Sequence, residues 1–284
     1  MTVSNQVLFT SCQALVQRPP WAKGRLRPIA GNSTNTAPTV SNAVASGNHI
    51  PRGPNTSVIP NFILDEIVLG HIGDAAESQT EDIPPGVPTG DFLLFVGELS
   101  RDKGVPTLLR AYESLGRKRP PLLLVGRRTP DTPTHLPGGA EMRAEWPHDH
   151  VMAAFRRCLF AVLPSICLDA CPTTVLEAMA SGRPVVATTT GGIVDMIVDG
   201  ENGLLVPPDD EYRLAAAMAR LLNDADLRVR LGAGARERIQ RFTATSVVER
   251  LESVYARVAP RNSGASPQPT RRASTDSTLT DHDG

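Results

Sequence analysis

Two acids, one lysine and a short polar run are the residues whose types and spacing could do chemistry in this chain. Asp169 precedes the run Pro172-Thr173-Thr174, and Glu177 follows it. Proline is favoured at the first turn of a helix, so the run reads as a helix start. The free N–H groups of Thr173 and Thr174, together with the positive helix end, then make a ready anion site. Lys103 lies in the loop Gly97-Glu98-Leu99-Ser100-Arg101-Asp102-Lys103-Gly104, which delivers a cation to the start of another helix. At Gly191-Gly192 the missing side chains let backbone approach a ligand closely. The acid pair alone reads more readily as exposed acids at a helix start. Joined to a cation and an anion site, it completes the complement of a nucleoside-diphosphate sugar, which carries phosphate charge and hydroxyls.

These residues must be held by the elements around them. From about residue 90 the chain alternates short, continuous apolar runs with helical stretches, the pattern of a parallel sheet buried on both faces. Phe92–Leu99, Pro121–Gly126, Leu159–Ser165, Pro184–Thr190 and Gly203–Pro207 read as strands, with a weaker one near Met142–Trp146. Helices are predicted over Val105–Leu115, His148–Cys158, Thr173–Ala180, Gly192–Val198 and Glu211–Leu222. Two more, Ala225–Phe242 and Ser246–Val258, close the ordered chain. This predicts an α/β fold, a Rossmann-like doubly wound parallel sheet, since a full barrel needs about eight such units. Ligands then bind outside the carboxyl ends of the strands, which is where the polar loops fall. The loop Gly97–Gly104 has neither the dinucleotide glycine fingerprint nor that of a P-loop.

Composition narrows the function. The 284 residues carry 29 basic and 30 acidic side chains, a net charge of −1. That lacks the basic excess that phosphate-backbone binding requires, so nucleic acid is not the expected partner. No apolar run is long enough for a membrane span, and Met1–Pro20 lacks the features of a signal peptide, which predicts a cytoplasmic protein. Cys12, Cys158, Cys167 and Cys171 show neither disulfide spacing nor paired zinc spacing, so they read as buried free thiols. His148-Asp149-His150 imitates a metal pair but falls at a helix start, and capping or surface exposure is the better reading. Residues 1–60 look loosely structured, 61–90 read as a Pro-rich linker, 91–259 as the Rossmann-like domain, and 260–284 as a disordered tail. Arg271-Arg272-Ala273-Ser274 in that tail reads as a solvated charge run.

Several ordered motifs resemble the retaining GT-B glycosyltransferases of family 4, the glycogen synthase and mannosyltransferase relatives. They are Phe95–Gly104, Pro164-Ser165 through Asp169 to Glu177-Ala178-Met179-Ala180-Ser181-Gly182-Arg183-Pro184-Val185-Val186-Ala187, then Gly191-Gly192, Asp199-Gly200 and Asn202–Pro208. Val40–Ala45 and Val58-Ile59-Pro60-Asn61 look like the family's last acceptor-domain segment and its interdomain linker.

The resemblance implies hexosyl transfer from a nucleotide-diphosphate sugar, with retention, to an unknown sugar or lipid acceptor. Asp169 and Glu177 would be the catalytic acids, Asp169 touching the donor sugar's hydroxyls and Glu177 the ribose hydroxyls. Lys103, Thr173, Thr174, Gly97 and Arg101 would hold the donor, with Lys103 on the pyrophosphate. No metal or other cofactor is implied, because the cation and helix end do that work. Arg127 and Arg128 would either border the nucleobase or lie in solvent. Glu98 stands where the family usually has a second pyrophosphate cation. Within about 5 Å of a phosphate it would repel by roughly 3 kcal/mol at an effective dielectric of about 20, unless it turns away or Arg101 takes over. Asp169 is one methylene shorter than the commoner glutamate, and Pro172 replaces a frequent glycine, removing one N–H from the anion nest. About 60 residues precede the linker, too few for a second Rossmann-like domain. The acceptor half is therefore expected from a separate chain or from self-association, with an exposed stripe of Leu251, Val254, Tyr255 and Val258 on the closing helix as the contact. The rival readings are a non-catalytic nucleotide-sugar-binding or partner-binding module and a nucleotide-sugar epimerase.

Overall fold

A computed structural model describes residues 39–41, 56–69, 83–144 and 146–258. Cys12, most of the 1–60 segment, residues 70–82 of the connector, and the tail with Arg271–Ser274 lie outside the described residues.

Strands β1 (Thr39–Ser41) and β2 (Thr56–Val58) pair in parallel as a two-stranded sheet, and helix α1 (Asp65–Leu69) follows. The main domain then runs β3 (Leu93–Val96), α2 (Val105–Ser114), β4 (Leu122–Val125), β5 (Ala140–Arg143), α3 (His148–Arg157), β6 (Phe160–Leu163) and α4 (Thr173–Ala180). It continues through β7 (Val185–Thr188), α5 (Ile193–Met196), β8 (Gly203–Val206), α6 (Glu211–Asn223), α7 (Ala225–Ile239) and α8 (Ala244–Val258). Every residue of β3, β4, β6 and β7 is buried. Such strands need apolar side chains on both faces, which is why they read as continuous apolar runs.

All six strands of the main sheet are parallel, in the order β5-β4-β3-β6-β7-β8. The chain builds outward from β3 to one edge, then returns to the centre and builds outward the other way. The reversal lies between β3 and β6, and there the pairing covers only Leu93↔Phe160 and Leu94↔Ala161. The strands part before β3 ends, and in open sheets of this kind such a reversal is where ligands bind, outside the carboxyl ends of the strands.

Three differences from the sequence reading have physical causes. The weak strand near Met142–Trp146 is the edge strand β5, shifted to Ala140–Arg143; of its residues only Met142 is buried, so its apolar signal is faint. The helix expected over Gly192–Val198 contracts to α5 because its last carbonyls are claimed by side chains. Asn202 accepts from the Val198 N–H at 2.7 Å and donates to Met196 O at 3.0 Å, while Arg238 donates to the carbonyls of Asp195 and Met196 at 2.7 Å each. Within the stretch read as a linker, Ile63, Val68 and Val87 pack into the main core. The backbone of Ile63 also exchanges hydrogen bonds with Phe242 and Ala244, both at 2.9 Å.

The stripe on α8 is partly covered. Val254 and Val247 bury against Ile59, with Leu251 packed alongside, and each such aliphatic side chain contributes about 1.5–3 kcal/mol when fully buried. Tyr255 remains exposed, as expected.

Candidate functional site

The loops after β3 and β6 meet at this reversal, and their backbones lock together. Ile166 and Cys167 donate their N–H groups to Asp102 O at 2.9 and 3.2 Å. Gly104 adopts φ +74°, and a Cβ there would lie 1.9 Å from Pro164 O, so only glycine permits this approach. The junction brings the Lys103 Nζ to 2.7 Å from Asp169 Oδ2, with each side chain about a quarter exposed. Two further segments fix the Asp169 loop. Gly192 donates to Asp169 O at 2.7 Å, and Asn61 Nδ2 donates to Cys171 O at 2.9 Å. Gly191, at φ +49°, lies so close that a Cβ would stand 2.2 Å from Asp169 O.

From this loop the chain enters α4 through Pro172, with no side-chain cap. The first N–H groups of a helix have no intrahelical carbonyl, so those of Thr173 and Thr174 remain available to an anion. Glu177 follows one turn later, its side chain 14% exposed, and its Oε1 lies 3.1 Å from His148 Nε2. That hydrogen bond, reinforced by the charges of Glu177 and Asp149, raises the His148 pKa above its ordinary 6.5 against the opposing effect of burial.

The other residues singled out in the sequence have these places. Gly97 directly follows β3 and donates to Val125 O at 2.9 Å. A Cβ on Gly126 would sit 1.7 Å from Gly97 O, so the β3 and β4 ends also meet backbone to backbone. Arg101 is held through its N–H by Asp131 at 2.6 Å, and lines a cavity of about 290 Å³ with Pro106, Thr107, Arg110, Ile166 and Asp209. Glu98 forms an ion pair with Arg127, so the carboxylate expected to repel phosphate has a cation of its own. His148 and His150 take different partners, Glu177 and the Trp146 ring, and His148 provides no cap. Among the described residues no group of three metal-ligating side chains occurs. Cys158 and Cys171 are buried free thiols whose pKa values burial raises to about 12 and about 11, and Cys167 is partly exposed. The sequence missed the His148–Glu177 and Glu98–Arg127 pairs and the role of Asn61. Only the helix start at His148 gave a readable signal.

A parallel sheet in this order, with a cation, an acid and a helix N-terminus at its reversal point, defines a Rossmann-like α/β domain of the kind found in GT-B glycosyltransferases. Residues 90–224 match the family model for glycosyl transferases group 1. The chain is 31% identical over 176 residues to D-inositol 3-phosphate glycosyltransferase of Corynebacterium glutamicum, a match covering 57% of this chain and 42% of that protein. It thus spans less than half the length of that curated relative. Among solved structures, sucrose-phosphate synthase from Thermosynechococcus elongatus superposes with a TM-score of 0.58 at 26% identity, over 72% of this chain and 53% of the other. Anabaena HepE in complex with UDP shares the fold with a TM-score of 0.61 at 19% identity, over 72% and 58%. Among the described residues no helix is long and apolar enough to cross a membrane.

Proposed function

We propose that this chain supplies the donor side of hexosyl transfer from a nucleoside-diphosphate sugar to a sugar or lipid acceptor, with retention at the anomeric carbon. Lys103 and the Thr173 and Thr174 amides take the pyrophosphate, Glu177 the ribose hydroxyls, and Asp169 the hydroxyls of the donor sugar. The observation that carries the reading is the meeting of Lys103 and Asp169 at 2.7 Å where β3 and β6 part, in the loop that enters α4. Ligands of open α/β sheets bind at such reversal points. The name of the Corynebacterium relative supports glycosyl transfer, and the UDP held by HepE supports a nucleotide-sugar donor. In the transfer, the bond from the anomeric carbon to the diphosphate oxygen breaks. The acceptor oxygen bonds to that carbon on the same face, and its proton passes to the departing diphosphate. Lys103 and the end of α4 stabilise the charge that develops there.

The test is equilibrium binding of UDP-glucose, GDP-mannose and ADP-glucose, followed by NMR of the linkage in any transfer product. Binding of at least one donor, and an α-linkage from an α-donor, are expected. No binding overturns the site, and a β-linkage overturns retention.

A further inference from the structure

We infer that His148 is a latch on the Glu177 carboxylate whose proton sets the affinity for the donor. The inference rests on the reading of Glu177 as the ribose acceptor. His148 opens α3, a different helix from the one that carries Glu177, and its side chain is about half exposed while that of Glu177 is nearly buried. The imidazole is the more exposed member of the pair and holds the carboxylate with Nε2 on Oε1 at 3.1 Å. The edge contact between the Trp146 and His150 rings, 5.8 Å between centroids, braces the turn that carries it.

The charged groups acting on His148 are Glu177 from α4 and Asp149 from its own helix. Strand β3, which also packs against α3, presents only apolar residues, and the positive end of α3 opposes protonation. The two carboxylates hold the imidazole pKa up, so acid keeps the latch charged.

A ribose diol needs the carboxylate as its acceptor. When His148 is protonated, the diol must displace a charge-assisted bond on Oε1; when His148 is neutral, it displaces one roughly half as strong. Donor binding therefore expels a proton and tightens as the pH rises through the titration of His148. The difference between a charged and a neutral hydrogen bond corresponds to about a fivefold to tenfold change in affinity.

UDP-glucose is a suitable probe because its diphosphate diester does not titrate in the histidine range. Its dissociation constant should fall about fivefold to tenfold between about pH 6 and about pH 8.5. In His148→Ala, and in His148→Gln, which keeps a donor but cannot take up a proton, the profile should be flat and near the parent's alkaline value. NMR titration of the His148 ring needs no ligand, and Glu177→Gln should return its pKa toward the ordinary value. The inference is overturned if His148→Ala keeps the pH dependence, if it weakens binding equally at both pH values, or if Glu177→Gln leaves the ring titration unmoved. Binding that Glu177→Ala abolishes but that shows no pH dependence in the parent overturns this inference and leaves the donor site standing. Binding unaffected by Glu177→Ala overturns the donor-site reading itself.

Discussion

Replacing Lys103 by methionine removes the cation and keeps most of its volume. In the free protein Lys103 forms an ion pair with Asp169 at 2.7 Å, each side chain about a quarter exposed. Partly solvated pairs of this kind contribute about 0–1 kcal/mol, so folding stability should change by no more than that. Binding of a nucleoside diphosphate should suffer far more. One charge-assisted hydrogen bond to phosphate is worth about 1.5–3 kcal/mol, a loss of roughly 10- to 150-fold. The variant also leaves the Asp169 carboxylate uncompensated beside the incoming phosphates. At about 6 Å and an effective dielectric of about 20, that repulsion adds about 2–3 kcal/mol. Asp169→Asn in the Lys103→Met background should therefore recover part of the loss, although Asp169→Asn alone removes a partner of the donor sugar. Isothermal calorimetry with UDP, GDP and ADP on the parent, both single variants and the double variant completes the cycle. Parent-like affinity in Lys103→Met, or a double variant no tighter than Lys103→Met, would refute the reasoning.

Other perturbations act through particular contacts. Gly191→Ala puts a Cβ 2.2 Å from Asp169 O at φ +49°, so the Asp169 loop must move; donor affinity should drop at least tenfold by calorimetry, and thermal unfolding should show a loss of about 1 kcal/mol or more. Asn202→Ala orphans the Val198 N–H and removes one of the two donors to the Met196 carbonyl in a position only 1% exposed, and chemical denaturation should show a loss of about 1–3 kcal/mol with little change in donor binding. The folded-state pKa of His148 lies above its ordinary 6.5, so its contribution is fully present below about pH 6.5 and is lost as the pH rises through the raised value. For a half-exposed ring that contribution stays below about 1 kcal/mol, read as the difference in stability between parent and His148→Ala below and above this window.

The sheet was legible because its central strands are buried on both faces and so spell themselves as apolar runs. Edge strand β5 was legible only as a weak strand set a few residues too late, since one buried side chain in four residues leaves a faint run. Helix α1 was hidden for another reason: five residues are too few to show a helical period, and its buried Val68 joins a core assembled from distant chain. The members of the candidate site were readable singly, as a cation before a helix and acids around a helix start. Their meeting was not. Lys103 and Asp169 are 66 positions apart, and what joins them is the backbone junction at Gly104 and Asp102. The His148–Glu177 and Glu98–Arg127 pairs, 29 positions apart in each case, depend on how neighbouring loops lie side by side, which no local spacing encodes.

In the proposed donor site, α4 and the loops before it receive a nucleoside diphosphate with Glu177 on the ribose. Calorimetry of Glu177→Ala against the parent with UDP, GDP and ADP tests this most directly. Two hydrogen bonds to a charged carboxylate, each worth about 1.5–3 kcal/mol, are lost together, so the nucleotide that the parent binds should bind on the order of 100-fold more weakly or worse. Equal affinity in parent and variant, or a parent that binds none of the three, would contradict the account.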